Sequence, residues 1–170
     1  MRLIAIDPGT TESAVVIMND GNITGRDKMK NADLACFLHD HRYDWLECDQ
    51  QPKSWDHMAI EMVASYGKPV GDEVFETVLW TGRFIQAYGG PVQKLKRPEI
   101  KMHLCHATAK VTDAVIRQRI IDIYGGKEKA IGKKKTPGPL YGIKADIWAA
   151  LAVAIVWREK YGITEPTSRI

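Results

Sequence analysis

The stretch that decides the fold is "RLIAIDPGTTESAVVIMNDGN", residues 2–22. The apolar run from Arg2 to Ile6 reads as a buried strand that delivers an aspartate, Asp7, at its C-terminal end. Pro8 and Gly9 turn the chain, and Glu12 to Met18 read as a second strand. "NDGN" is a hairpin signal that leads into a third strand, through about Met29. The chain therefore opens as an antiparallel meander with a carboxylate at the end of its most buried strand, and that carboxylate needs a purpose.

Downstream the pattern alternates. "NADLACFLHDHR" reads as a helix capped by Asn31 or Asp33, with Leu34, Phe37 and Leu38 on one face. "WLECDQQPKSWD" is a polar loop, and His57 to Val63 read as another buried strand, carrying Glu61 near its end. A helix is expected from about Gly71 to Tyr88, a short strand at "PVQKLK", and a helix start at Pro98. "VTDAVIRQRIIDIYGG" reads as a helix capped by Thr112 or Asp113 and ended by Gly125. "KEKAIGKKKTPGPLYG" has the composition of a mobile loop, and a last helix runs from about Ile143 to Tyr161. This order predicts an α/β fold: a mixed five-stranded sheet flanked by helices, in one domain over residues 1–170.

The longest apolar stretch, Ile147 to Trp157, is too short to span a bilayer, and the N-terminus enters a strand directly, so neither membrane nor signal peptide is expected. Three widely spaced cysteines argue against a disulfide framework and for a reducing, cytoplasmic setting. The net charge of +3 conceals an asymmetry: Lys94 to Lys144 hold 13 Lys and Arg against 4 Asp and Glu, a net +9. A basic segment joined to an acidic remainder points to a polyanionic partner, or else to a solvated lysine-rich face.

Asp7 and Glu61 each end a buried strand, where ligands of open α/β sheets bind. If those strands are parallel neighbours, the two carboxylates stand side by side and call for a cation, and clustered carboxylates suit Mg²⁺ or Mn²⁺. Asp146 is a third candidate, in the first turn of the last helix, where the helix dipole favours an anion. Ala150, Val153 and Trp157 share its face, which directs it toward the core, and the alanines there let the helix lie close to the sheet. Singly, each of the three also reads as a cap; together they read as a metal site. "HLCH" (residues 103–106) has no partner pair at a zinc spacing.

"AIDPGTT", "IEMVASYG" and "KADIWAALAVAIV" resemble, in order and spacing, the three acidic motifs of RuvC-type Holliday junction resolvases within the RNase H-like nucleases. "ASYGKPVGDEVFETVLWTGRF" and "GPLYGIKADIWAALAVA" resemble the phage and prophage branch, whose setting would be the bacterial host cytoplasm. The resemblance implies phosphodiester hydrolysis in branched, four-way DNA by a homodimer, with two Mg²⁺ or Mn²⁺ ions on Asp7, Glu61 and Asp146. It implies a catalytic role for Lys110 and base stacking for Tyr66, while Lys101, Lys133, Lys134, Lys135 and Lys144 read as phosphate contacts. Trp80 and Val74 are candidates for the dimer seam. One departure stands out. RuvC enzymes carry a fourth metal-binding residue one turn after the third carboxylate, and here that position is Ala149; Asp113 is a candidate replacement that reads first as an N-cap. "DPGTT" also resembles the phosphate hairpin of actin-like and sugar-kinase ATPases, but those need two such domains and a second Asp-Gly motif, so no nucleotide cofactor is expected.

Overall fold

The computed structural model describes residues 1–41, 56–64, 67 and 69–162. Three antiparallel strands, β1 (Arg2–Asp7), β2 (Glu12–Asn19) and β3 (Asn22–Lys30), form the opening meander. After α1 (Asn31–Asp40), β4 (His57–Met62) returns parallel to β1; after α2 (Asp72–Tyr88), β5 (Val92–Lys96) lies parallel to β4. The resulting five-stranded sheet has the order β3-β2-β1-β4-β5. Helices α3 (Arg97–Cys105), α4 (Asp113–Ile123), α5 (Lys127–Ala130) and α6 (Ile147–Tyr161) follow.

Strand alternation sorts the core into two layers. Leu3 and Ala5 of β1, Ala14 and Val16 of β2, Ala59 of β4 and Leu95 of β5 face α3, α4 and α6. Ile4, Ile6, Val15, Met58 and Ile60 face the opposite way, onto Leu34 and Leu38 of α1 and Phe84 and Tyr88 of α2. The alanines of the first face let α6 settle across β1, β2 and β4. From Ala150 to Trp157 every residue of α6 is buried, so this helix is packed all round, between the sheet and the helices outside it.

Several expectations change. Neither Asn31 nor Asp33 caps α1; the N-cap position is Lys30, and Asn31 is buried for another purpose described below. Helix α6 starts at Ile147, four residues later than expected, because residues 144–146 form a turn with Ala145 at a φ of 43°. Residues 127–142 are not one loop: they hold α5 and a small hairpin of β6 (Gly132–Lys133) and β7 (Thr136–Pro137). A Cβ on Gly138 would run into the carbonyls of Lys129 and Ala130, so glycine is required where the hairpin returns against α5. On α2, Thr81, Phe84 and Tyr88 are buried, while Val78 is exposed. No helix among the described residues is long and apolar enough to cross a membrane.

Candidate active site

Register and alternation place the acidic residues. Ala5 pairs with Ala59 and Ile6 with Ile60. One further step puts Asp7 beside Glu61, both on the face covered by α6. Asp7, Glu61 and Asp146 line one cavity of about 220 Å³, with Arg97, Asp113, Ile116, Ala145, Trp148 and Ala149 completing its wall.

The turn after Asp7 is tied down from inside. The Gly9 N–H donates to Ser13 Oγ (3.1 Å), Ser13 Oγ donates to Asn31 Oδ1 (2.7 Å), and Asn31 Nδ2 donates to the Gly9 carbonyl (2.9 Å). Ser13 and Asn31 are both buried, so this closed ring of bonds holds the strand end that carries Asp7. A Cβ on Gly9 would strike the carbonyl of Glu12. Asp146 is the N-cap residue of α6, and its side chain is 54% exposed at the cavity edge, not directed into the core as expected. Lys28 Nζ of β3 donates to Asp146 Oδ2 at 2.7 Å. Trp148 Nε1 donates to the Ile143 carbonyl (3.2 Å), which fastens the approach to α6.

Arg97 is the main residue that sequence reading missed. Its Nη1 donates to Glu61 Oε2 at 3.0 Å, and its Nη2 pairs with Asp113. It is the first residue of α3, directly after β5, whose Leu95 pairs with Glu61, so it starts the helix close to the Glu61 strand end; only the pairing of β5 with β4 reveals this. Asp113 does not cap α4. Thr112 does, accepting at Oγ1 from the Val115 N–H (3.4 Å).

The electrostatics are those of crowded anions. Burial first, then the charge of Glu61, push the Asp7 carboxyl up to about 7, with Asp146 and Asp113 adding to the rise and Arg97 opposing it. Burial also raises Glu61, against the pull of Arg97. The hydrogen bond to Asp146 raises Lys28. An all-carboxylate set with a surplus of negative charge fits a hard divalent cation in donor chemistry. Among the described residues no three acidic, His or Cys side chains converge tightly enough to hold one ion as they stand, and Glu61 and Asp146 are turned to Arg97 and Lys28.

The other expected residues are more scattered. Lys101 lies on α3, and its charge acts on Glu61. Lys110 is exposed in the α3–α4 turn at a φ of 60° and is not part of the cavity wall. Lys133, Lys134 and Lys135 are exposed along the β6–β7 hairpin, and Lys144 is exposed just before α6. Tyr66 lies outside the described residues. Trp80 packs onto the α1–α2 layer, with its ring centroid 5.8 Å from that of Phe84, and Val74 is half-buried; the exposed apolar residues of α2 are instead Phe75, Val78 and Leu79.

This strand order, with α6 across the centre and carboxylates at the strand ends, is the RNase H-like architecture in its RuvC form. Among solved structures the chain is similar to T. thermophilus RuvC in complex with a Holliday junction substrate, at 14% identity and a TM-score of 0.63, over 95% of this chain and 97% of that one. A second Thermus thermophilus RuvC structure matches at 15% identity and a TM-score of 0.59, over 92% of each chain. At such identities the likeness is one of fold. No family profile and no curated protein sequence matches the chain.

Proposed function

We propose that the chain is a divalent-metal-dependent DNA endonuclease that cuts four-way junctions as a homodimer. The observation that carries this reading is the meeting of Asp7, Glu61 and Asp146, from three separate elements, in one cavity of a RuvC-type fold. The T. thermophilus protein of that fold has a Holliday junction as its substrate.

Asp7 is the rigid member, fixed by β1 and by the Gly9–Ser13–Asn31 bonds. Glu61 and Asp146 complete the set that would hold Mg²⁺ or Mn²⁺, two ions in the arrangement the resemblance implies. Bound there, such ions would supply an activated water and charge stabilisation for phosphodiester hydrolysis. Lys101 adds positive field beside Glu61. Lys110 would reach the phosphate from the α3–α4 turn, outside the cavity wall. Lys133, Lys134, Lys135 and Lys144 offer phosphate contacts, which add affinity and salt dependence without sequence preference. Tyr66, close in sequence to Glu61, is the candidate for stacking on an unpaired base.

A labelled four-way junction and a matched linear duplex, each incubated with Mg²⁺ or with EDTA, test the reading. Paired, metal-dependent nicks confined to the junction are expected, and they should vanish in Asp7→Asn. Cutting that survives Asp7→Asn would remove the site assignment. Binding without cutting would make the chain a junction-binding protein, and better cutting of flaps or forks would move the substrate class.

A further inference from the structure

Beside the carboxylate cavity lies a second, larger hollow of about 550 Å³ that the reading above does not use. The two share Asp113, Ala145 and Trp148, so one opens next to the other. Lys127, in the wall of the second hollow, also lines a third one along the β6–β7 hairpin, with Lys133 and Thr136. The three follow one another as a groove that leads from the strand ends, past α4 and α5, to the hairpin.

The groove differs from the cavity in the sign of its charge. Arg117, Lys127 and Lys133 are exposed, and among the described residues none of them makes an ion pair. Lys28 and Arg97, at the carboxylates, are both engaged. Against the three free cations stands Glu128, and Asp113 at the shared wall is already paired with Arg97. Arg117 stands over the ring of Trp148, 4.8 Å from its centroid. The indole is fastened to the Ile143 carbonyl, so the guanidinium has a firm backing at the step between the first two hollows. Ile121 and Ile131 add apolar floor. The hairpin wall stands without a ligand: the Gly138 N–H donates to the Ile131 carbonyl (2.9 Å), the Leu140 N–H to the Ala130 carbonyl (2.8 Å), and Arg26 to the Pro139 carbonyl (3.2 Å).

A basic rim above an apolar, aromatic-backed floor suits a single nucleic-acid strand. The cations track its phosphates, and a guanidinium plane gives an unpaired base a surface to stack on. A duplex keeps its bases stacked inward and would use the cations alone. We propose that this groove holds an unpaired stretch of DNA strand leading out of the carboxylate cavity, with Arg117 stacking on a base and Lys127 and Lys133 contacting phosphates. The proposal deepens the nuclease reading and rests on it for the identity of the polyanion, and its test requires no cutting.

A short fluorescein-labelled oligo-dT and a labelled duplex of the same length are titrated with the full chain in EDTA, at several salt concentrations, and followed by fluorescence anisotropy. Wild type is expected to bind oligo-dT more tightly than duplex. Lys127→Gln should make the slope of log K against log salt shallower by about 0.7, one phosphate contact on a single strand. Arg117→Lys keeps the charge and loses the plane, so its slope should stay at the wild-type value while affinity falls by about 5-fold or more. Lys160→Gln removes a charge from a separate hollow, beside His103, and should change neither quantity. Circular dichroism should be the same throughout. A wild type that prefers duplex overturns the proposal, as does a wild-type slope in Lys127→Gln or full affinity in Arg117→Lys. An effect of Lys160→Gln as large as that of Lys127→Gln overturns it too. If the variants behave as expected and no junction is cut, the groove stands and the nuclease reading falls. Junction cutting by wild type, with oligo-dT binding unaltered in the variants, removes the groove alone.

Discussion

Asp7 shows how far a single residue was legible and what its surroundings add. Its place at a buried strand end was plain from "LIAID", but its rise to about 7 comes from burial and from Glu61, a neighbour 54 residues away that only the parallel register supplies. The sign of the consequence is fixed. The folded chain keeps the Asp7 proton up to about pH 7, while the unfolded chain releases it in the ordinary carboxylate range. The native state therefore binds more protons between about pH 4 and 7, and stability falls as the pH rises through that window. In EDTA, Asp7→Asn is expected to match wild type near pH 4 and to exceed it at pH 8, by up to about 4 kcal/mol. Urea unfolding at the two pH values measures this, and equal curves at pH 8 would show that Asp7 is not held among uncompensated anions. Asn31 makes a second residue-level case. Asn31→Ala leaves the buried Ser13 hydroxyl and the Gly9 carbonyl without their partner, for an expected loss of about 1–3 kcal/mol in the same measurement.

At the scale of elements, legibility followed periodicity. β1, β2, β4 and β5 were readable because their apolar runs are short and bounded by turn residues, and α2 because it is long. The failures share a cause: they depend on contacts between elements. Nothing in the sequence singles out Arg97 until β5 is known to lie beside β4, and Asp113 reads as a cap until Thr112 is seen to do the capping. The 127–142 segment has loop composition, and its hairpin depends on Gly138 passing tightly under α5 and on Arg26 of β3 donating to the carbonyls of Pro139 (3.2 Å) and Tyr141 (2.5 Å). Helix α6 has almost no polar face from Trp148 to Trp157, so periodicity cannot orient it; the alanines that meet the sheet do. Ala152→Leu forces extra volume into that contact, and a loss of about 1–3 kcal/mol is expected by thermal or urea unfolding. A near-neutral result would mean that α6 can shift away from the sheet. Asp146, at the start of α6, would then be poorly held.

For the whole molecule, the proposed function asks how one site would serve a junction with two strands to cut. A symmetric junction calls for two copies of the site related by a two-fold axis, and a two-fold interface uses the same patch on each copy. Among the described residues the outer face of α2 offers an apolar surface for such a patch: Phe75 is 62% exposed, Leu79 55%, and Val78 lies between them in sequence, on the layer opposite the carboxylates. Trp80 is partly buried against the α1–α2 layer, and the more exposed apolar side chains of this helix are Phe75 and Leu79. Replacing both Phe75 and Leu79 by Glu puts four like charges into a two-fold contact, without touching the buried Thr81, Phe84 and Tyr88 that hold α2 in place. Light scattering is expected to give a dimeric mass for wild type and a monomeric mass for the double variant, with unchanged circular dichroism. On a supercoil-extruded cruciform, where paired cuts give linear DNA and single cuts give nicked circles, the variant should shift the product from linear to nicked. A wild-type chain that is monomeric at working concentration, both free and with junction DNA, would rule out α2 as the seam; a variant that stays dimeric would move the seam to another face.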